Sequence, residues 1–137
     1  MQTLLGFDFG RQRIGIAVGQ KITRTATALC TLDSRNEKPD WEAISELINS
    51  WQPGALVVGL PLHADGSDSD ITKAARKFAR QLEGRYRLPV HTMDERLSSH
   101  AATELKNQGK TAGNKGIDAI AASIILQNWL ETDNTHE

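Results

Sequence analysis

The sequence predicts an α/β fold: a mixed five-stranded sheet in the order 3-2-1-4-5 with helices on both faces. Three observations lead there. Three apolar runs follow one another on short polar turns near the N-terminus, the mark of an antiparallel meander. Two more apolar runs each follow a stretch of helical period, and right-handed crossovers lay such strands parallel to the first. The 137 residues, 39% hydrophobic and 24% charged, suffice for one substantial core and not for two.

Taken in order, Thr3 to Phe9 is a nearly unbroken apolar run and reads as a strand buried on both faces. Arg11-Gln12-Arg13 is short enough for a hairpin turn into a second strand, Ile14 to Val18. Lys21 to Arg24 turns again into Ala26 to Leu32, a weaker third strand. Ser34 to Asp40 is polar and contains Pro39, a loop. Trp41 to Trp51 has Ile44, Leu47, Ile48 and Trp51 at helical spacing, and Pro53-Gly54 stops it. Ala55 to Leu60 is the cleanest buried strand, ended by Pro61.

After a polar loop from His63 to Asp70, helical period resumes at Ile71 with Phe78 and Leu82 inward. Lys73, Arg76, Lys77 and Arg80 form one basic stripe there, which reads as a solvated helix face or a contact for nucleic-acid phosphates. Pro89 to Glu95 is a fifth strand, Leu97 to Gln108 a short helix, and Gly109 to Gly116 a glycine-rich mobile segment. Ile117 to Leu130 is a final apolar helix. One domain over residues 1–131 with a flexible tail at 132–137 accounts for the chain.

No apolar run approaches the roughly 20 residues of a membrane span, and no signal pattern opens the chain. One cysteine, Cys30, lies in an apolar run, so a reducing cytoplasm is the expected compartment and no membrane partner is expected. The net charge of −1 means that any nucleic-acid affinity rests on local patches. No zinc spacing, Ser-His-Asp pattern or phosphate-binding P-loop occurs, and His91, mid-strand, reads as a packing residue.

Carboxylates carry the chemistry. Asp8 closes a core strand between Phe7 and Phe9, where an unpaired acid is costly, so it needs a cation or donors. Open α/β sheets gather their sites at the C-terminal ends of parallel strands, which brings the end of strand five to the same edge. Asp94 and Glu95 both stand there, and alternation sends them to opposite faces, so one of the two faces Asp8. Asp118 opens the last helix on the face of Ala121, Ala122 and Ile125, a place the helix dipole also favours for any acid. Acids brought this close call for a divalent cation; Mg²⁺ takes oxygen ligands and leaves room for phosphate oxygens. Gly10, Arg11 and Arg13 beside Asp8, Gly59 and Pro61 at the end of strand four, and Lys115 before Asp118 are candidate substrate contacts. Aromatic residues make up only 5%, so backbone and shape contacts outweigh base stacking.

Asp8-Phe9-Gly10 with Gly15-Ile16-Ala17-Val18-Gly19, Gly59-Leu60-Pro61, Asp94-Glu95-Arg96-Leu97-Ser98 and Lys115-Gly116-Ile117-Asp118-Ala119-Ile120-Ala121-Ala122 together resemble the YqgF/RuvX family. That family comprises pre-16S rRNA nucleases or Holliday-junction-resolvase-like proteins within the ribonuclease H-like superfamily. The resemblance covers almost the whole chain in order and spacing. It implies a hydrolase, a nuclease dependent on Mg²⁺ or Mn²⁺, with Asp8, Glu95 and Asp118 as catalytic residues and metal ligands. Its implied role is processing of the 5′ end of pre-16S rRNA in ribosome biogenesis. The implied partner is structured RNA, with branched DNA as the alternative, and the chain acts as a monomer or weak homodimer. Junction resolvases of similar fold carry a further acid three residues after the last one, and here that position is Ala121. A non-catalytic nucleic-acid-binding module would have no use for the three acids. An actin- or sugar-kinase-like ATPase would need a second such domain.

Overall fold

The computed structural model describes residues 2–36, 38–61, 65, 67–94 and 113–133, with the backbone alone for 113–116 and 133. Its strands are β1 (Thr3–Phe9), β2 (Arg13–Gln20), β3 (Thr25–Asp33), β4 (Ala55–Leu60) and β5 (Val90–Asp94). Its helices are α1 (Trp41–Trp51), α2 (Asp70–Tyr86) and α3 (Gly113–Asp133). The sheet order is β3-β2-β1-β4-β5, antiparallel from β3 to β1 and parallel from β1 to β5. The predicted topology is the observed one. The helix expected over Leu97–Gln108 lies outside the described residues.

Strand alternation divides the core in two. On one face Leu5, Phe7, Ile14, Ile16, Leu56, Val58 and Leu60 pack under α1 and α2 through Ile44, Phe78 and Leu82. Phe78 is the hub: it meets Phe7 edge-on at 5.6 Å, Phe9 at 5.0 Å and Trp41 in a stack at 5.6 Å. Half-buried Cys30 packs against this cluster, and burial pushes its thiol pKa up. On the other face Leu4, Ala17, Ala55, Val57 and Met93 pack under α3 through Ala122, Ile125, Leu126 and Leu130.

The helix ends follow from local chemistry. Asp40 caps α1 by accepting the Ala43 N–H at 3.1 Å, and Gln52 closes it in a left-handed conformation (φ 47°) ahead of Pro53. Ser69 and Thr72 form a reciprocal capping box on α2. Fully buried Thr72 also donates to the Pro61 carbonyl at 2.6 Å, which moors the start of α2 to the end of β4.

On the α3 face the sheet is lined by glycine, and this allows a close approach. A Cβ on Gly6 would lie 2.8 Å from Leu126 Cβ, and one on Gly15 would collide with the Asp118 carbonyl. Gln127 anchors the helix further: it accepts the Ala26 N–H at 3.0 Å and donates to the Arg24 carbonyl at 2.6 Å. His91 stacks on Trp129 at 4.8 Å and so packs, as its mid-strand position predicts.

The final helix differs from expectation at both ends. The last helix begins at Gly113, so residues 113–116, expected to be mobile, are its first turn. It also continues past Leu130, with Glu131 and Thr132 exposed on it.

Candidate active site

Asp8 is the next-to-last residue of β1, half-buried, and pairs across the β1–β2 ladder with Gly15. Partners in an antiparallel ladder project to the same face. Asp8 therefore projects to the α3 face, the side on which the missing Cβ of Gly15 would strike the Asp118 backbone. One residue beyond the Phe7↔Val58 pair, the parallel register brings Gly59 beside Asp8, again on the α3 face by alternation. Asp8 thus stands between two glycines, with α3 laid across one of them.

Asp118 is the sixth residue of α3, not a first-turn residue, so the helix dipole does not account for it. Its side chain, 20% exposed, accepts the Nε–H of Arg13 at 2.7 Å. Arg13 opens β2 on the same face, two residues before Gly15 along the strand, so the ion pair closes the mouth between hairpin and helix.

The other candidates separate. Asp94 follows Val90 and Thr92 in strand parity; Val90 packs in the α1/α2 core and Thr92 lines a hollow with Arg76 and Arg80 of α2. Asp94 accordingly projects to the α1/α2 face, opposite to Asp8. Glu95 lies outside the described residues, as does the side chain of Lys115. Gly10 is demanded by its own turn, since a Cβ would stand 2.6 Å from the Arg13 carbonyl. Pro61 has a structural duty as the acceptor for Thr72 and, at 3.3 Å, Ser69. Arg11 is exposed at the same edge as Asp8. Among the described residues no three His, Cys, Asp or Glu side chains gather as a metal-holding group.

The basic stripe on α2 is not one surface. Arg76 grips Asp68 with two hydrogen bonds, at 2.9 and 3.1 Å, and its guanidinium holds the Asp68 carboxyl below the usual range. Lys77 instead lines a cleft with Arg11 and Arg85. Periodicity alone does not reveal this split. Arg85 and Lys38, which share that cleft, were not singled out by any motif; their signal is charge beside Trp41.

The chain matches a family model described as RuvX: Holliday junction resolvase, over residues 2–132. A Pseudomonas putida protein named "Putative pre-16S rRNA nuclease" is 50% identical over 137 residues, covering 97% of each chain. An Azotobacter vinelandii protein of the same name is 48% identical, over 93% of this chain and 92% of that one. Among solved structures, Thermus thermophilus RuvC in complex with Holliday junction substrate is similar in fold, with TM-score 0.58 at 16% identity over 98% of this chain and 96% of that one. The fowlpox virus Holliday junction resolvase is similar in the same way, with TM-score 0.57 at 14% identity over 95% and 99%. On the family match and the near full-length relatives, the chain belongs to the RuvX family.

Proposed function

We propose that this protein is a divalent-metal-dependent endonuclease that hydrolyses phosphodiester bonds in structured nucleic acid, with the 5′ end of pre-16S rRNA as its substrate. The observation that carries this reading is the placement of Asp8 and Asp118 on one face at one edge, beside paired glycines. Glu95 is proposed as the third acid, because Asp94 is committed to the other face. Hard carboxylate oxygens are the donors that Mg²⁺ or Mn²⁺ prefer, and Asp8, Glu95 and Asp118 would hold the ion. Bound there, a divalent ion supplies Lewis acidity toward a phosphoryl oxygen and lowers the pKa of water. Around it, Gly59 leaves space for a phosphate to approach Asp8, and Arg11 and Lys115 are proposed phosphate contacts. The names of the relatives support rRNA as the substrate, and cytoplasmic action as a monomer or weak homodimer goes with it.

The test is cleavage of a structured rRNA precursor, single-stranded RNA, duplex DNA and a four-way DNA junction, with Mg²⁺ and with Mn²⁺. Wild type cleaves the precursor preferentially, and Asp8→Asn, folded by circular dichroism, does not. Undiminished cleavage by Asp8→Asn overturns the site. A second reading, resolution of branched DNA, is favoured by the family description. Preferential cleavage of the four-way junction would establish it. Against it stands Ala121, 6% exposed, where a fourth carboxylate would have to be buried.

A further inference from the structure

On the α1/α2 face, across β1 from the acids, lies an open cleft of about 540 Å³ whose described lining includes Arg11, Lys38, Lys77 and Arg85 and no carboxylate. In a chain of net charge −1, four cations around one cleft are a local excess. The floor is aromatic, made by Phe9, Trp41 and Phe78. Trp41 is held by two contacts from α2: Phe78 stacks on it with an interplanar angle of 28°, and the Arg85 guanidinium sits 4.1 Å from the indole centroid. That contact costs Arg85 some rotamer freedom in advance and leaves its N–H groups available at the rim.

The cleft joins the candidate site through a single strand end. Asp8 projects to one face, Phe9 to the other, and Arg11 follows at the turn between them. From there Lys77, Gln81 and Arg85 stand at i, i+4 and i+8 on α2, a row about 12 Å long leading away from the acid-bearing edge. Beyond Trp41 the adjoining hollow sets Asp33, Asp40 and Glu42 against Arg35 and Lys38, so the excess of positive charge does not continue there. The neighbouring side of α2 is unsuited, since Arg76 is neutralised by Asp68.

We propose that this cleft is a backbone-tracking groove that holds the phosphates of the substrate strand after it passes the carboxylates, with Arg11, Lys77 and Arg85 as the phosphate contacts and Trp41 positioning Arg85. The inference rests on the nuclease reading and adds the path of the nucleic acid. With Trp41 already engaged by Phe78 and Arg85, recognition is by charge along the backbone and not by base stacking.

The test is equilibrium binding of a structured RNA in EDTA, from 50 to 200 mM salt, beside metal-supported cleavage of the same RNA. Lys77→Ala and Arg85→Ala each flatten the plot of log affinity against log salt by about 0.7 to 0.9. The double variant loses about both contributions, and Arg80→Ala, in the neighbouring hollow with Arg76 and Glu83, leaves the slope alone. Trp41→Leu, with its fold checked by thermal melting, weakens binding severalfold in the wild-type protein and not in Arg85→Ala, which a merely structural role for Trp41 would not do. Unchanged slopes in Lys77→Ala and Arg85→Ala, or equal flattening by Arg80→Ala, overturn the groove while wild-type cleavage leaves the nuclease reading standing. Full slopes without any cleavage do the reverse. Polyglutamate binding as tightly as RNA, with the same dependence on Lys77 and Arg85, would overturn the nucleic-acid assignment in favour of an acidic protein partner.

Discussion

Arg13 Nε donates to Asp118 Oδ2 at 2.7 Å, joining positions 105 residues apart. The pair ties the first hairpin to the last helix and places a fixed cation on one of the three acids proposed for the site. A guanidinium and a divalent ion would compete for the same carboxylate oxygen, so in the proposed site Arg13 would be a built-in rival of the metal. Arg13→Gln is expected to bind Mn²⁺ severalfold more tightly by calorimetry. With Arg13 itself 35% exposed, the stability lost is modest, about 0.5 kcal/mol after allowance for solvent screening, and the melting temperature falls by at most about 4 °C. Weaker Mn²⁺ binding by the variant would show that Arg13 supports the ion and does not oppose it.

Gly15→Ala tests the contact between strand and helix. Its methyl group meets the Asp118 backbone, which cannot move aside as a flexible side chain would. The expected loss is about 1–3 kcal/mol in urea unfolding, and cleavage should fall well beyond that loss because Asp118 is displaced from Asp8. A stable variant with full cleavage would separate the α3 contact from the site.

Thr72→Val keeps the volume and removes a buried hydroxyl that accepts the Ser69 N–H and donates to the Pro61 carbonyl. About 1–3 kcal/mol of stability should go with it, and Ser69→Ala alone should cost about 1 kcal/mol. A double-mutant cycle by urea denaturation should give a non-additive sum, since both side chains belong to one network.

Asp68 has its pKa lowered, chiefly by the hydrogen bond from Arg76. A depressed carboxylate contributes stability above its unfolded pKa and loses it as pH falls through the folded value. In NMR titration the Asp68 carboxyl should therefore have its midpoint below 3.8, and Arg76→Ala should return it toward that ordinary value. Any stability difference between wild type and Arg76→Ala present at neutral pH should vanish once Asp68 is protonated in both.

How much of this was legible in the sequence varies with the physics involved. Thr3–Phe9, Trp41–Trp51 and Ala55–Leu60 could be bounded to the residue, because apolar runs there end on glycine, proline or a caesura in helical period. β2 and β3 reach further than their apolar cores, because ladder pairs such as Arg13↔Asp33 and Gln20↔Thr25 are made by backbone groups that hydropathy does not register. The start of α3 was hidden by its own glycines, and with it the true depth of Asp118 in the helix. The Arg13–Asp118 pair has no local spacing to betray it. Asp94 and Glu95 were equivalent by residue type, and the pairing of Leu60 with Asp94 breaks that symmetry for Asp94.

The close seating of α3 on the glycines of β1 and β2 has a consequence for how the protein comes into being. Asp8 leaves the ribosome among the first residues and Asp118 among the later ones, and only the docking of α3 brings them to one face. A nascent chain that has already paired β1 with β2 still lacks two of the three proposed acids. On the proposed site, hydrolytic competence would be deferred until the sheet is covered, and a chain stalled before residue 118 is expected to lack it.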